Sequence, residues 1–352
     1  MRNRLNRLFL SLTAALSLGM MLFAAFAPAP AKLPYEGRTP SRFSLCDPDA
    51  YFFDRLPHHT ALLTLCRDIE FALGKNEYGG AFGGKNGYIF SNENTDEAVL
   101  TRNLAALAAF AETADIPLYT ALVPSKTDAL PGLLPPLYTA ARDALWERAK
   151  TAPAYIDLLP SLRTAGGAGK YIYYRGDHHL TSLGAYYVYR QLVAPLGFSA
   201  EAADFAVSVV CADFAGSDAR RLLTAADDRI ALFRARGDSA LTVTTDGAVR
   251  RGLYDFDACA GDDPYGVFPG YGAGYTTIRH ADAHPRLLML CDSYGCALAP
   301  FLARHFDVDL VDLRYAAPDV RGLLREENYT AVLCYYGMDT LAAHEILYKL
   351  QG

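Results

Sequence analysis

The sequence predicts an α/β domain built on a largely parallel β-sheet with helices on both faces. Apolar, β-branched segments alternate with helical patterns over residues 97–192 and again over 286–350. Such alternation is typical of parallel strands connected by helices that cover the sheet. The composition, 51% hydrophobic and 20% charged residues in a chain of 352, is that of a globular protein able to bury a large core.

The first block of alternation predicts three helices and three strands. The helices are expected over residues 98–114, 135–150 and 181–192, and the strands over 116–123, 154–158 and 171–174. Thr181 is a suitable N-cap for the third helix. The preceding glycine-rich segment 79–90 predicts a tight turn that enters a strand. A phosphate-binding loop is the alternative, but neither the Walker nor the G-x-G-x-x-G pattern is present.

The second block of alternation follows a segment of different character. Residues 204–260 contain short β-rich runs separated by the turn signals Gly237-Asp238 and Asp246-Gly247, which predicts an antiparallel insertion outside the main alternation. Beyond it, strands are expected over 286–291, 308–313 and 330–335, and helices over 296–305, 318–326 and 340–350.

The N-terminal segment predicts export. Three arginines (Arg2, Arg4, Arg7) precede an uncharged run from Leu8 to Ala27, the pattern of a signal peptide or of an uncleaved membrane anchor. If the segment remains, the positive-inside rule places the rest of the chain outside the cytoplasm. We therefore divide the chain into residues 1–31 (signal or anchor), 32–74 (a linker or wrapping arm) and 75–352 (the main domain).

Charge and cysteine content limit the possible partners. The formal net charge is −6, and without residues 1–31 the chain carries 30 basic against 39 acidic residues, which argues against a nucleic-acid binder. Membrane attachment is therefore expected through the N-terminal segment only. The seven cysteines show no zinc-site spacing, so buried thiols are expected, and disulfides stay open.

Polar side chains follow several predicted strands at their carboxyl ends, where open parallel sheets bind their ligands. They are Ser125-Lys126, Asp177-His178-His179, Asp292-Ser293, Arg314-Tyr315, and Tyr336 with Asp339. We expect a functional site at this edge of the sheet.

Ser293 is the candidate nucleophile. It lies between a predicted strand and a predicted helix, and the N-terminal N–H groups of that helix would face an anion near the serine. The G-x-S-x-G pattern is incomplete, because Cys291 stands at its first glycine position. The alternative is that Asp292 or Ser293 only caps the helix.

Asp177 and His179 are the candidate orienting acid and general base. In an extended segment, side chains two residues apart point the same way, so the carboxylate could hold one imidazole nitrogen and leave the other for the serine. One alternative is a polar helix cap with two structural histidines. Another is a metal site, but no further aspartate motifs accompany Asp-His-His, so we expect neither a metal nor another cofactor.

Several segments resemble the DHHW protein family, which is similar to the SGNH hydrolase-like domains of alginate O-acetyltransferases. They are RGDHHLTSLGAYY at 175–187, DSY at 292–294, PFL at 300–302, DLRY at 312–315, GKNGY at 84–88 and VPSK at 123–126. The resemblance runs from about residue 75 to 340 and departs at Leu180, where the family name has Trp.

The resemblance implies an SGNH-like, flavodoxin-like fold and a triad of Asp177 as orienter, His179 as base and Ser293 as nucleophile. Arg314 and Tyr315, with Tyr294, are the candidates for substrate binding or oxyanion support. The implied protein is an exported serine esterase or O-acetyltransferase that acts on a carbohydrate, with a possible membrane-bound acyl donor. The alternatives are a non-catalytic carbohydrate-binding or assembly protein and, third, a metal-dependent hydrolase.

Overall fold

The computed structural model describes residues 2–28, 33, 39–91, 94–136, 138, 142–200, 205–316 and 318–351. The helices are α1 (Arg2–Phe26), α2 (Pro48–Phe53), α3 (His59–Ala72), α4 (Glu97–Thr113), α5 (Lys126–Ala129), α6 (Asp143–Ala149), α7 (Leu159–Gly167), α8 (Ser182–Leu192), α9 (Ser217–Arg221), α10 (Tyr294–Leu302), α11 (Val320–Glu326) and α12 (Met338–Ala343). The strands are β1 (Glu77–Tyr78), β2 (Ala81–Gly83), β3 (Ile89–Ser91), β4 (Leu118–Val123), β5 (Phe205–Cys211), β6 (Ile230–Ala235), β7 (Thr242–Thr245), β8 (Ala248–Arg251), β9 (Tyr275–Arg279), β10 (Arg286–Cys291), β11 (Asp307–Val311) and β12 (Tyr329–Gly337).

The main sheet has seven strands in the order β4-β12-β10-β11-β9-β7-β8. Strands β4, β12, β10 and β11 are parallel, whereas β9, β7 and β8 continue the sheet in antiparallel pairings. Two small antiparallel sheets, β1-β2-β3 and β5-β6, lie outside it. The fold is therefore a mixed α/β fold, and the finer flavodoxin-like arrangement stays a prediction.

The centre of the sheet is buried on both faces, as alternation along β10 shows. Leu287, Met289 and Cys291 belong to one hydrophobic cluster, and Leu288 and Leu290 belong to another. The first cluster includes the buried sides of α8 and α10, and the second includes those of α4, α6 and α12. Two-sided burial explains why β10 and β12 are continuous apolar runs rather than alternating ones.

Two of the predicted strands are wrong. Residues 154–158 and 171–174 each make a single bridge in the described structure, Thr120 with Tyr155 and Tyr173 with Leu180. Segment 171–174 is apolar because its aromatic side chains pack into the core, not because it pairs within a sheet. The predicted helix over 135–150 is shorter and begins at Asp143, while residues 137 and 139–141 lie outside the described part of the chain.

The β-rich segment 204–260 is antiparallel, as predicted, but only half of it is an insertion. Strands β5 and β6 form a separate two-stranded sheet. Strands β7 and β8 instead extend the main sheet, because β7 pairs with β9. The prediction that the whole segment is an insertion is therefore wrong for β7 and β8.

The N-terminal segment forms one long helix. Residues Asn6–Phe26 are apolar and long enough to cross a membrane, and nearly all of this stretch is exposed. A signal sequence has the same features. Part of the predicted arm, residues 32–74, is helical, since it contains α2 and α3.

Asn103 ties helix α4 to the C-terminal segment. Its buried side-chain amide donates to the carbonyls of Leu341 and His344, at 2.7 Å each, and its oxygen accepts from the N–H groups of Ile346 and Leu347. One side chain thus satisfies four backbone groups where regular structure ends.

We expect Asn103→Ala to lower the free energy of unfolding by about 3 kcal/mol, because buried backbone groups lose their partners. Arg102→Ala on the same helix removes an exposed ion pair with Glu345 and should cost less than about 1 kcal/mol. Urea unfolding of the two variants checks the difference, and equal effects would contradict the role given to Asn103.

Candidate active site

Asp177, His179 and Ser293 form a continuous hydrogen-bonded chain. Nδ1 of His179 lies 2.6 Å from Oδ1 of Asp177, and Nε2 of His179 lies 2.8 Å from Oγ of Ser293. A carboxylate can only accept, so Nδ1 carries a proton and Nε2 is left to accept the serine proton. The elements that bring them together are the loop before α8 and the junction of β10 with α10.

The local geometry of Asp177 and His179 differs from the extended segment that the sequence predicts. Residues 176–179 form a bend, and Oδ1 of Asp177 accepts from both the backbone N–H of His179, at 2.9 Å, and its ring. The two side chains therefore meet because the aspartate caps its own turn. The predicted pairing of Asp177 with His179 is present, but the prediction that an extended segment produces it is wrong.

The second oxygen of Asp177 is held by a residue that the sequence did not identify. The backbone N–H of Ser217, at the start of α9, donates to Oδ2 of Asp177 at 2.8 Å. A hydrogen bond from a backbone N–H more than 30 residues away leaves no signal in a sequence pattern. Ser217 is therefore a positioning residue that only the structure shows.

Asp177 is buried, with 3% of its surface exposed. Burial opposes its ionisation. The nearby imidazoles of His179 and His178, together with the hydrogen bonds from His179 and Ser217, outweigh burial and hold the pKa of Asp177 well below its usual range. The carboxylate is thus charged whenever His179 needs an acceptor.

His178 has a different environment from His179. Its Nδ1 lies 2.8 Å from Oγ of Ser217, and its carbonyl accepts from the Tyr294 hydroxyl at 2.9 Å. Desolvation of the ring and the neighbouring His179 lower the pKa of His178 to about 4. Since 42% of the side chain is exposed, solvent offsets part of this shift.

The imidazole of His179 lies close to two other rings. The Tyr265 ring stacks on it with a centroid separation of 4.0 Å and an angle of 17°, and the His178 ring lies 3.9 Å away on a tilt of 35°. The Tyr265 hydroxyl also donates to the Ser293 carbonyl at 3.4 Å. Tyr265 was not predicted, because a lone tyrosine in a loop gives no pattern.

Two of the N–H groups at the start of α10, which the sequence predicts to face an anion near the serine, are already hydrogen-bonded within the protein. The N–H of Tyr294 donates to Oδ1 of Asp292, and that of Gly295 donates to the carbonyl of Asp292. Oδ2 of Asp292 accepts from Gly337 N–H and from Thr340 Oγ1. Asp292 is therefore the helix cap, while Oγ of Ser293 makes no capping bond and faces His179.

A cleft of about 290 Å³ adjoins the hydrogen-bonded residues Asp177, His179 and Ser293, at the carboxyl ends of β4 and β12. Its walls combine cationic groups, hydroxyls, imidazoles and a carboxylate. The polar residues that line it are Ser91, Ser125, Lys126, Thr127, His178, Arg221, Tyr294, Arg314, Asp339, Thr340 and His344. Most of the polar residues predicted at the strand ends therefore lie in or next to this cleft, although Tyr336 is fully buried.

The three supporting candidates have different positions. Arg314 lines the cleft and forms a two-pronged ion pair with Asp312, with Nη2 to Oδ2 at 2.7 Å. Tyr294 also lines it, and its hydroxyl is engaged by His178. Tyr315 is not part of the cleft wall; its ring is 48% exposed and lies 5.8 Å from the Arg314 guanidinium.

Asp177, His178 and His179 could also be considered as metal ligands, since one ligand atom from each lies within 4.8 Å of the others. However, Nδ1 of His179 already bonds Oδ1 of Asp177, Oδ2 bonds Ser217, and Nδ1 of His178 bonds the Ser217 hydroxyl. This contact set matches an acid–base chain better than a set of converging metal donors.

The low pKa of His178 predicts a pH dependence of stability. The unfolded chain binds a proton on this residue near pH 6.5 and the folded chain only at a lower pH, so stability rises with pH across this interval and falls as pH drops through it. We expect His178→Gln to flatten this slope. Urea unfolding at pH 4.5, 5.5, 6.5 and 7.5 checks it, and identical slopes for both proteins would contradict the assignment.

Comparison with known families gives two matches. Residues 158–311 match the DHHW protein profile, and residues 82–208 match the profile of the SGNH hydrolase-like domain of the acetyltransferase AlgX. The first match includes all three members of the hydrogen-bonded chain. No curated protein matches the sequence significantly.

Several solved structures share the fold, including the following two. Bacillus cereus PatB1, solved with a sulfonyl adduct, has 22% sequence identity and a TM-score of 0.64, over 76% of this chain and 97% of PatB1. A DHHW family protein from Eubacterium siraeum has 20% identity and a TM-score of 0.66, over 78% of this chain and 96% of its own. The predicted resemblance of this chain to the DHHW family and to the SGNH hydrolase-like domains of O-acetyltransferases is therefore confirmed.

Proposed function

We propose that this protein is an exported serine-type O-acetyltransferase or acetylesterase that acts on a cell-surface or secreted polysaccharide through an acyl-enzyme. The chain of contacts from Asp177 through His179 to Ser293 is the observation that carries the proposal. Its order and tautomer are those required for serine acyl transfer. The similarity to an acetyltransferase domain supports acyl transfer as the reaction class.

In the proposed reaction, Oγ of Ser293 attacks the acyl carbonyl carbon while its proton passes to Nε2 of His179. The bond from that carbon to the leaving oxygen then breaks, and His179 returns the proton to this oxygen. A water or sugar hydroxyl attacks the acyl-enzyme next, giving its proton to His179. His179 finally protonates Ser293 as it leaves, and Asp177 stabilises the imidazolium in both halves.

We assign supporting roles by position. Arg314 lines the cleft with its guanidinium braced by Asp312, so it is the proposed contact for a substrate carboxylate or carbonyl oxygen. Tyr294 is proposed to hold the His178 backbone rather than to act as an oxyanion donor. Tyr315, exposed beside Arg314, is proposed as a surface contact for the carbohydrate acceptor.

Ser293→Ala is expected to reduce hydrolysis of an acetyl-ester chromogen at least about 1000-fold, because the nucleophile is removed. His179→Ala should have an effect of similar size. The exposed variant Tyr348→Ala, far along the sequence from the three residues, is the control and should keep wild-type turnover. Equal turnover by wild type and Ser293→Ala would refute the nucleophile.

A transferase that ignores model esters needs a probe of the serine itself. A sulfonyl fluoride, whose sulfur Ser293 Oγ would attack with loss of fluoride, suits this purpose, since PatB1 has been solved with a sulfonyl adduct. We expect one adduct on wild type by intact mass, located on Ser293 by peptide mapping. Absence of an adduct on Ser293, with carbohydrate still bound, would favour the non-catalytic binding protein.

We further propose that the domain lies outside the cytoplasm, tethered or released, and that a membrane-bound protein donates the acyl group. The apolar helix over Asn6–Phe26 supports the location. A reporter enzyme that is active only outside the cytoplasm, fused after Gly352, should be active with the full chain and lose activity when residues 1–31 are deleted. Equal reporter activity in both would refute export by this segment.

A further inference from the structure

We infer that the buried ion pair between Lys126 and Asp218 is a positioning device that holds the Asp177 carboxylate in place for His179. This assignment rests on the proposed acyl-transfer function. It gives a role to Lys126 of the early motif VPSK at 123–126, which the reaction itself does not use.

The Lys126 ammonium is almost completely buried. Only 3% of its side chain is exposed, and Nζ lies 2.7 Å from Oδ2 of Asp218, whose side chain is 1% exposed. Burying a charge is costly unless it is paired and hydrogen-bonded, so both groups are held where the partner lies. Apart from Lys126, the Asp218 carboxylate has no hydrogen-bond partner among the described residues.

The same ammonium connects the backbone around the triad loop. Nζ donates to the carbonyl of Arg175 at 3.1 Å and to that of Tyr174 at 3.4 Å, just before Asp177, and also to the Ile89 carbonyl. The N–H of Ile89 in turn donates to the Arg175 carbonyl at 2.8 Å. Lys126, the last residue of VPSK, and Ile89, which follows GKNGY, therefore meet next to the loop that carries Asp177 and His179.

Asp218 transmits this anchoring to the triad through α9. Its neighbour Ser217 donates its N–H to Asp177 Oδ2, and the N–H of Ala219 donates to the Gly176 carbonyl at 2.8 Å. A Cβ at Gly216 would lie only 2.2 Å from Cβ of Asp177. The start of α9 therefore packs directly on the aspartate, and a shift of Asp218 moves the group that orients the carboxylate.

Lys126 has no described contact with Ser293 or His179, so its role is positional. It does contribute to the cleft wall, and direct substrate binding is the rival explanation. Loss of positioning lowers the rate at the serine for any reagent, whereas loss of substrate binding raises KM for the substrate alone.

The test compares wild type with Lys126→Met, Asp218→Asn and the double variant. Each single change leaves a buried charge without its partner, and the double change removes both charges, so the double variant should fold better than Lys126→Met. We expect the rate of Ser293 sulfonylation by phenylmethylsulfonyl fluoride to fall by about 10-fold to 100-fold in Lys126→Met and in the double variant. Asp218→Asn keeps the shape of the side chain, so the rate of Ser293 sulfonylation should fall less in this variant.

The matched control is the Arg279→Met/Asp309→Asn double variant. Arg279 and Asp309 also form an ion pair with a nearly buried carboxylate, but they lie on β9 and β11 and make no described contact with the triad. We expect this control to lose stability and to sulfonylate Ser293 at the wild-type rate. A fall equal to that of the Lys126 variants would show a general loss of stability and overturn the inference.

A second measurement does not depend on reactivity. Hydrogen–deuterium exchange of a peptide covering residues 214–222 reports the Ser217 N–H that donates to Asp177. We expect faster exchange there in the Lys126 and Asp218 variants and unchanged exchange in the control. Unchanged exchange in the Lys126 variants overturns the inference, while an unreactive wild-type Ser293 with altered exchange overturns the proposed function and leaves the positioning role standing.

Discussion

The candidate site depends on one buried carboxylate that is held on both of its oxygens. Asp177 accepts from the ring and the backbone of His179 through one oxygen and from Ser217 through the other. A charge at this depth is tolerable only because these donors replace water. Once the carboxylate is fixed, the tautomer of His179 follows, and with it the direction from which Ser293 can lose its proton.

Sequence reasoning was most successful where a single pattern controls the structure. The continuous apolar run of β10 predicted its strand to the residue, because burial on both faces selects such a run directly. Thr181 was correctly predicted as the N-cap of α8, since its hydroxyl accepts from the Gly184 N–H. Asp177, His179 and Ser293 were chosen by residue type and family motif, and the structure brings them into contact.

The sequence failed where tertiary packing decides the conformation. Segment 171–174 resembles a strand because its side chains are apolar, yet its carbonyls have other partners: Thr181 donates to those of Tyr171 and Ile172, and Lys126 donates to that of Tyr174. Strands β7 and β8 join the main sheet through a pairing with β9 that no local pattern encodes. Ser217, at the start of α9, and Tyr265 contact Asp177 and His179 from remote parts of the sequence, and neither belongs to a recognisable motif.

The contacts of the His179 imidazole restrict how any reaction there can proceed. The Tyr265 and His178 rings each lie about 4 Å from the imidazole ring of His179, and both ring nitrogens have hydrogen-bond partners, Asp177 on Nδ1 and Ser293 on Nε2. In the proposed reaction, a proton taken from Ser293 leaves through the same nitrogen, Nε2, because Nδ1 is bonded to Asp177. If the proposed acyl transfer takes place, the incoming alcohol has to reach the position that the leaving group has vacated, so acyl donor and acceptor bind at the same position one after the other.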